Sequence, residues 1–235
     1  MFTHQRQVNF SEVTSNGHAD IARIADYFQD CGFFQSDSIG GGVEDLAKMQ
    51  RAWLLASYQI VVKRYPMYGE KLDVSTWPYA FDKVFGYRNF DIKDEAGSRI
   101  AAANSYWFIA DIEKGRPVRL TPEIMAPYTL EPKIEMDYAP RKLDFKEEMA
   151  PAEPFKVLHA YIDKNMHMNN AWYIRMGLEY VPADFEVGQV RVEYKLAAHE
   201  GDMVYPFIYQ DAETVKIRME NGNGQIFTTL EYKKA

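Results

Sequence analysis

Apolar residues recur at helical spacing in one segment near the start of the chain. The residues at i, i+3, i+4, i+7 and i+10 are Ile21, Ile24, Ala25, Phe28 and Cys31. This spacing places them on one face of a helix, and the few polar residues between them indicate that the helix is well buried. We therefore predict a helix over residues 19–31, capped by Ser15 or Asn16 and ended by Gly32.

Two groups of β-rich segments flank a proline-rich stretch. The strands predicted in the first group cover residues 7–14, 52–64, 71–81, 84–93 and 98–110. The strands predicted in the second group cover residues 156–162, 187–197, 203–210, 213–220 and 225–233. The last four strands of the first group read as an antiparallel meander. Seven of the 11 prolines fall within 111–155, which predicts a connector with one short helix near 121–127.

The two groups repeat one order of elements. Each begins with a strand, continues with a helix (the second predicted over 169–180) and ends with four strands. Between the first strand and the helix, residues 16–20 and 165–169 both read N-x-H-x-[D/N], 149 residues apart. The same match at the same joint favours an internal duplication. Each half is then expected to be an α+β unit in which a sheet wraps around one helix.

Charge and cysteine content narrow the classes of function. The chain carries 27 Lys and Arg against 34 Asp and Glu, a net charge of −7, which disfavours a nucleic-acid binder. Cys31 is the single cysteine, so neither an internal disulfide nor a cysteine-based zinc site is expected, which suits a reducing compartment. No apolar run approaches the roughly 18 residues of a membrane helix, and the start lacks a signal-peptide pattern. We expect a cytoplasmic protein with no membrane span.

The segment best suited to chemistry covers residues 163–173 and reads D-K-N-M-H-M-N-N-A-W-Y. If strand geometry continues into it, Asp163, Asn165 and His167 share one side. A carboxylate can orient a histidine or act as a base, and a histidine can relay a proton. An asparagine amide can donate to a developing oxyanion. The segment is therefore a candidate catalytic site.

A structural interpretation of the same segment is the alternative. Asn169 or Asn170 would then only cap the following helix, and His167 would be a turn residue. Elsewhere the sequence contains no G-x-S-x-G, no Gly-rich phosphate loop and no H-x-x-x-H pair, so no helical zinc pair is expected. Cys31 falls on the apolar helix face, and we expect it in the core rather than as a nucleophile.

Several segments together resemble one known family. N-M-H-M-N-N-A-W-Y at 165–173 is similar to the family's N-x-H-x-N-N-x-x-Y. The other similar segments are D-Y-F-Q-D-C-G at 26–32, Q-I-V-V-K-R-Y-P at 59–66, G-E-K-L-D-V-S-T-W at 69–77, R-N-F at 88–90 and A-N-S-Y-W at 103–107. The family is that of the acyl-acyl carrier protein (acyl-ACP) thioesterases of plant plastids and bacteria. The resemblance spans almost the whole chain, at intervals.

The resemblance implies a fold and a reaction. The fold is an α+β double hotdog, two tandem units in each of which an antiparallel sheet wraps around a long helix. The implied divisions are an N-terminal hotdog over 1–120 that selects the acyl chain, a linker over 121–154, and a C-terminal hotdog over 155–235 that carries the catalytic motif. The implied reaction is hydrolysis of fatty acyl-ACP to free fatty acid, which ends chain elongation, with no metal and no organic cofactor.

The resemblance also assigns roles to residues. The family's catalytic Asp, Asn and His fall on Asp163, Asn165 and His167. The asparagine and the histidine would position the thioester and stabilise its oxyanion, while the aspartate would hold the network and help to activate water. The supporting candidates are Asn169, Asn170 and Glu200. The candidates that would line the acyl chain, because the family selects its substrate in the first half, are Ile21, Ile24, Ala25 and Phe28.

One position departs from the family pattern. In E-Y-K-L-A-A-H-E-G-D at 193–202, Ala197 stands where the family carries a glutamate. The water-activating base would then be Asp163, or Glu200 or His199 from the next turn. This departure keeps open a non-catalytic acyl-binding hotdog protein as an alternative. A second alternative is an acyl-CoA thioesterase, and a hotdog dehydratase or hydratase fits the motif less closely.

The implied partner is an acidic acyl carrier protein, so docking requires a local basic patch on an acidic chain. The candidates for that patch are Lys63-Arg64, Arg141-Lys142 and Arg116 with Arg119. Because the duplication lies within one chain, either a monomer that is itself a pseudo-dimer or a homodimer is expected.

Overall fold

The computed structural model of the protein describes residues 1–235, which form two compact units. The first unit contains Met1–Ala56 and Ile60–Ala139. The second contains Ser57–Gln59 and Pro140–Ala235. Each unit combines one helix that packs on strands with an antiparallel set of strands, as the repeated order of elements predicts.

The first unit contains six strands and three helices. The strands are β1 Phe2–Gln7, β2 Arg51–Val62 (without its residues Ser57–Gln59, which belong to the second unit), β3 Lys71–Phe81, β4 Phe85–Lys93, β5 Arg99–Asp111 and β6 Arg116–Val118. The helices are α1 Ile21–Ser38, α2 Val43–Lys48 and α3 Pro122–Met125. Five strands are ordered β1-β3-β4-β5-β2, and β6 pairs with β5. The predicted four-strand meander is therefore wrong in one respect, because β2 lies beside β5 rather than beside β3.

Helix α1 fills the core of the first unit. Its N-cap is Asp20, whose side chain accepts a hydrogen bond from the Arg23 N–H at 2.7 Å, so the predicted caps at Ser15 and Asn16 are wrong. The helix also continues past Gly32, the predicted end, and stops where Gly40 adopts φ +74°. A glycine ends a helix mainly by adopting positive φ, and the structure places that conformation eight residues later.

The buried face of α1 packs on the strands. Phe28 is fully buried, and its ring lies 5.2 Å from the ring of Phe90 on β4. The Cys31 thiol donates to the Val74 carbonyl on β3 at 3.2 Å. Burial raises the pKa of this thiol to about 12, so it stays protonated and unreactive. The prediction that Cys31 is a core residue is confirmed.

The second unit contains six strands and one α-helix. The strands are β7 Ala150–Pro151, β8 Phe155–Lys156, β9 Val187–Tyr194, β10 Met203–Gln210, β11 Thr214–Glu220 and β12 Ile226–Lys234. Their order is β9-β12-β11-β10-β7, and β8 also pairs with β10. Helix α4, Asn170–Leu178, is held to β12 by the Tyr232 hydroxyl, which donates to the Ile174 carbonyl at 2.7 Å.

The entry strand predicted for each half is wrong. Residues 7–14 form only the end of β1 and then a 3₁₀ turn, Phe10–Glu12, and residues 156–162 form the end of β8 and then the 3₁₀ turn His159–Tyr161. In the first turn the Glu12 carboxylate accepts the Asn9 N–H at 2.7 Å, a local capping contact that competes with strand pairing. No helix of the chain combines the length and the apolar character needed to cross a bilayer.

Candidate functional site

The two N-x-H-x-[D/N] segments form the same backbone turn. We call residues 14–20 the first joint and residues 163–169 the second joint. In the first joint the Thr14 N–H donates to the His18 carbonyl at 2.9 Å, and the Gly17 N–H donates to the Thr14 carbonyl at 2.9 Å. Gly17 has φ +81°.

The second joint repeats these contacts one for one. The Asp163 N–H donates to the His167 carbonyl at 2.9 Å, and the Met166 N–H donates to the Asp163 carbonyl at 3.0 Å. Met166 has φ +62°, so it adopts the same left-handed conformation as Gly17, the equivalent residue of the first joint. The prediction that Asp163, Asn165 and His167 share one side of a continuing strand is therefore wrong. A closed turn, rather than strand alternation, brings these residues together.

Each joint is held by a loop that is also duplicated. We call residues 66–70 the first loop and residues 198–202 the second loop. The Ala19 N–H donates to the Pro66 carbonyl at 3.0 Å, and the Met168 N–H donates to the Ala198 carbonyl at 2.8 Å. Glycines with φ of +82° and +91°, Gly69 and Gly201, occupy the same place in the two loops.

A carboxylate closes each loop in the same way. Glu70 accepts the Met67 N–H at 2.9 Å, and Asp202 accepts the His199 N–H at 2.8 Å. A backbone hydrogen bond runs in the opposite direction in both loops. The Glu70 N–H donates to the Met67 carbonyl, and the Asp202 N–H donates to the His199 carbonyl, each at 3.1 Å. The predicted internal duplication is thus visible at the level of single hydrogen bonds.

The second joint places a carboxylate beside an imidazole. Asp163 is half-buried, and its carboxylate accepts the Asn165 N–H at 2.8 Å. Burial raises the pKa of this carboxyl above its ordinary value, although backbone hydrogen bonds from Asn165 and His167 and the charge of His167 oppose the shift. A carboxyl of raised pKa is a stronger base than a free aspartate once it is ionised.

The imidazole of His167 faces a second histidine. Its ring centroid lies 4.9 Å from that of His199, with the two ring planes at 87°. Burial lowers the pKa of His167, and the neighbouring charge of His199 lowers it further, while Asp163 acts in the opposite direction. His167 is therefore favoured in its neutral form, in which one nitrogen can donate to a carbonyl oxygen.

The supporting candidates occupy three different positions. Asn169 is the N-cap of α4, where its side chain accepts the Ala171 N–H at 2.9 Å. Asn170 is the first residue of α4, and its carbonyl accepts the Tyr194 hydroxyl at 3.0 Å. Glu200 lies at the surface and contacts the Nδ1 of His159 at 3.1 Å. Among the catalytic candidates themselves, the Asn165 side chain is exposed to solvent beside the turn.

Tyr173 belongs to the site and was not singled out from the sequence. Its hydroxyl oxygen accepts the Ala198 N–H at 3.0 Å, which joins α4 to the second loop. Burial raises its pKa to about 12, and the charges of Asp202 and Asp163 add to the rise. The sequence contained a signal for this role, because Tyr173 is the last residue of the motif at 165–173. In the structure it fixes the loop that carries His199.

The acyl-chain candidates lie in the first unit and are all buried. They are Ile21, Ile24, Ala25 and Phe28 on α1. No three His, Cys, Asp or Glu side chains of the chain come together in a group that could hold a metal ion.

The chain matches both halves of one family of thioesterases. The model of the acyl-ACP thioesterase N-terminal domain matches residues 1–128, and that of the C-terminal domain matches residues 145–231. Oleoyl-acyl carrier protein thioesterase 1 of Arabidopsis thaliana chloroplasts is 24% identical over 214 residues, which cover 82% of this chain and 59% of the relative. An acyl-ACP hydrolase of Cuphea viscosissima is 26% identical over 195 residues, which cover 78% of this chain and 47% of the relative. The chain thus spans about half to three fifths of the length of these curated relatives.

Solved structures share the fold across the full chain. An acyl-ACP thioesterase from Bacteroides thetaiotaomicron superimposes with a TM-score of 0.91 at 20% identity, covering 99% of this chain and 97% of that one. A 12:0-ACP thioesterase from Umbellularia californica gives a TM-score of 0.85 at 16% identity, covering 100% and 96%. The predicted α+β double hotdog fold is confirmed. By sequence and by fold, the chain belongs to the acyl-ACP thioesterase family.

Proposed function

We propose that the chain hydrolyses fatty acyl-ACP and releases free fatty acid, which ends chain elongation. The observation that carries the proposal is the second joint, where the family's Asp, Asn and His residues fall on one closed turn, in a chain that matches both family domains. The reaction proposed requires neither a metal nor an organic cofactor. A cytoplasmic location, and a monomer or homodimer, remain our predictions.

The proposed catalytic residues act on the thioester carbonyl. Asn165 and His167 donate to its oxygen and stabilise the oxyanion that forms when water attacks. The turn lies directly before α4, a helix of nine residues whose N-terminal dipole favours negative charge. Asp163 holds the turn through the Asn165 N–H and supplies a negative charge beside His167. Asn169 and Asn170 fix the start of the helix on which this arrangement rests.

The first unit is proposed to select the acyl chain. We keep the divisions predicted from the sequence, with acyl selection in 1–120, a linker over 121–154 and catalysis in 155–235. The apolar face of α1 would then lie beside the acyl chain, and its members Ile24 and Ala25 would limit chain length. The burial of this face against the strands of the first unit supports a dry environment suited to a hydrocarbon.

The proposed partner is an acidic acyl carrier protein. Of the candidate basic patches, Arg64 is held by Glu70 at 2.6 Å and Arg141 by Glu193 at 3.3 Å. Arg116 and Arg119 are exposed to solvent at β6 and just after it. We therefore favour Arg116 and Arg119 as contacts for the carrier, because guanidinium groups that already neutralise carboxylates of the chain attract a further acidic partner less strongly.

The proposal is tested by measuring free fatty acid released from a mixture of acyl-ACPs with the chain lengths resolved. The matching acyl-CoA mixture serves as a parallel donor. Release from acyl-ACP with higher kcat/KM than from acyl-CoA supports the proposal. A preference for the CoA donors identifies an acyl-CoA thioesterase instead, and tight acyl-ACP binding without release identifies a non-catalytic acyl-binding protein.

A further inference from the structure

We propose that His199 is the general base that activates the attacking water in this chain. It would take the role of the family's glutamate, whose position is occupied here by Ala197. This inference rests on the proposed function and names a catalytic residue for the same site. The resemblance to the family does not supply it, because the family's base belongs to the position of Ala197 and not to that of His199.

The second loop holds His199 in a fixed place. The His199 N–H donates to the Asp202 carboxylate, and the loop is tied to the second joint through the Met168 N–H and to α4 through the Tyr173 hydroxyl. Gly201 also donates its N–H to the Val157 carbonyl at 2.9 Å. Contacts on several sides therefore fix the backbone that carries the imidazole relative to the turn, which limits the positions that the imidazole can reach.

The His199 imidazole combines nearness to the reacting group with access to water. Its ring lies 4.9 Å from that of His167, so a thioester carbonyl bound by His167 lies beside it. The His199 side chain is 59% exposed, so water reaches it. A general base must reach the proton it removes either directly or through one water.

The Asp202 carboxylate lies on the Nδ1 side of this imidazole. The Nδ1 of His199 lies 3.8 Å from the carboxylate oxygen of Asp202. A carboxylate on that side favours the tautomer that carries its proton on Nδ1, which leaves Nε2 free to accept a proton. The pair is exposed, so we expect this assistance to be small.

The other candidate bases are engaged elsewhere. The Asp163 carboxylate already accepts backbone hydrogen bonds that close the turn, and the Glu200 carboxylate contacts His159. Burial lowers the pKa of His167, which weakens it as a proton acceptor while leaving it a good donor. His199 is thus an exposed titratable group beside the turn, and its side chain makes no hydrogen bond that closes the turn.

The first loop shows that the histidine is not needed for the fold. Met67 stands at the place of His199, and its loop forms the equivalent backbone and carboxylate hydrogen bonds with distances that agree to within 0.2 Å. A loop that closes equally well around methionine does not require an imidazole. The imidazole at 199 is therefore available for chemistry.

Water attacks the thioester with His199 as the proton acceptor. The water oxygen bonds to the thioester carbonyl carbon while one water proton moves to Nε2 of His199, and the carbonyl oxygen becomes an oxyanion held by Asn165 and His167. The oxyanion then re-forms the carbonyl, the carbon–sulfur bond breaks, and the sulfur takes the proton back from Nε2. The products are the fatty acid and the free thiol of the carrier, and His199 returns to its neutral state.

The test replaces the imidazole and then restores a base in two ways. His199→Ala should lower kcat for acyl-ACP about 10²-fold or more with KM nearly unchanged, as loss of a general base does. Added imidazole should restore part of the rate, because the exposed site admits it. Ala197→Glu combined with His199→Ala should restore activity by returning the family's carboxylate. His159→Ala, at an exposed histidine of the same surface, is the matched control and should keep the full rate.

The outcomes separate this inference from the proposed function. His199→Met, which copies the first loop, guards against misfolding and should lose activity with an unchanged melting temperature. If His199→Ala and His199→Met retain full turnover, His199 is not the base, although the proposed function stands. A loss that neither imidazole nor Ala197→Glu restores also overturns the role of His199 as the base. If the unaltered chain releases no fatty acid from any donor, the proposed function fails and this inference fails with it.

Discussion

Thr14 and Asp163 occupy the same position in two copies of one turn, and each donates its N–H to the carbonyl of the histidine four residues later. Their side chains do different things. The Thr14 hydroxyl donates to the Asn16 side chain at 2.8 Å, whereas the Asp163 carboxylate accepts the Asn165 N–H at 2.8 Å. The backbone of the turn therefore tolerates either chemistry, and the second copy alone places a negative charge beside its histidine.

The surfaces around the two joints differ in the same direction. Phe10 and Tyr68 form an edge-to-face aromatic pair at 5.7 Å, where the second unit has the His159–Glu200 pair at 3.1 Å. The first copy is apolar at positions where the second is ionisable. The shape of each joint thus depends on backbone atoms. The chemistry depends on side chains that one copy has and the other lacks.

The largest expected difference in turnover is between variants of His167 and of His18, the equivalent histidines of the two joints. His167→Ala should lower kcat about 10²-fold or more, as loss of an oxyanion donor does, and Asn165→Ala should have a similar effect. His18→Ala removes the equivalent imidazole of the first joint and should leave turnover unchanged. Steady-state kinetics with acyl-ACP measure all three. Intact turnover in the second-joint variants would show that the site assignment is wrong and would make the first joint the next candidate.

Asp163→Asn removes the charge that the first joint lacks. The amide oxygen can still accept the Asn165 N–H, so the turn should form. Because hydrogen bonds that involve a charged group contribute roughly 1.5–3 kcal/mol, we expect kcat to fall about tenfold to a hundredfold. A loss beyond about 10³-fold, with His199→Ala still active, would make Asp163 the base instead.

Enlarging one small residue of α1 should change the product rather than the rate alone. Ala25→Leu should shorten the released fatty acids by blocking the proposed acyl site, at a cost of about 1–3 kcal/mol in stability from overpacking. Ala22→Leu, at another buried alanine of the same helix, is the control for packing alone. Product analysis of folded variants checks the prediction. Equal chain lengths from both variants would make the face of α1 ordinary core.

The left-handed position of each turn offers a test of the shared backbone. Met166 adopts φ +62° and is exposed, so Met166→Gly should raise stability by about 0.5–1 kcal/mol. Gly17→Met in the first joint should cost a similar amount, and Met166→Ala should change little. Chemical denaturation measures these differences. Stabilisation by alanine equal to that by glycine would show that the side chain, and not φ, sets the effect.

The smallest effect concerns pH and the stability of the second joint. Because the pKa of Asp163 is raised in the folded chain, its ionised form costs stability above that pKa, and Asp163→Asn removes the cost. The variant should therefore be slightly more stable than the unaltered chain near pH 7. The gap should close as the pH falls below about 4, where Asp163 is protonated in both states. Denaturation at several pH values checks the sign.

His167 contributes the opposite pH dependence. Its pKa is lowered in the folded chain, so the unfolded chain takes up the proton first as the pH falls below about 6.5, and stability decreases there. Without the Asp163 charge, the pKa of His167 should fall further and this loss should grow. Asp163→Asn should thus lose its advantage steadily on acidification. An advantage that increases toward acid would contradict both assignments.

Most strands could be predicted from the sequence because their limits are local. The prediction for β3 matches Lys71–Phe81 at both ends, since glycine precedes the strand and Asp82-Lys83 follows it. The 3₁₀ turns after β1 and β8 were missed because their stabilising contacts, such as that of Glu12 with Asn9, also suit a polar strand end. The predicted helix end at Gly32 is wrong because glycine ends a helix mainly by adopting positive φ, and Gly32 lies inside α1 without it.

The place of the candidate site in the chain could be predicted from the sequence, and its geometry could not. The repeated N-x-H-x-[D/N] identified both joints, and Asp163 and His167 do lie together. The contact between His167 and His199 spans 32 positions and depends on the Met168–Ala198 hydrogen bond, which no local pattern encodes. The contact of Tyr173 with the second loop could not be predicted, because an aromatic residue on a helix usually indicates core packing.

The backbone origin of the turn has a consequence for how this protein can change. Where the shape of a site depends on contacts made by its own reactive side chains, replacing those side chains also removes structural contacts and lowers stability. Here the hydrogen bonds of the second joint and the second loop come largely from the main chain, as the first copy demonstrates with different residues. Random libraries at 163, 167 and 199 should therefore consist mostly of folded members, so the three positions proposed for catalysis should accept new side chains without loss of the fold.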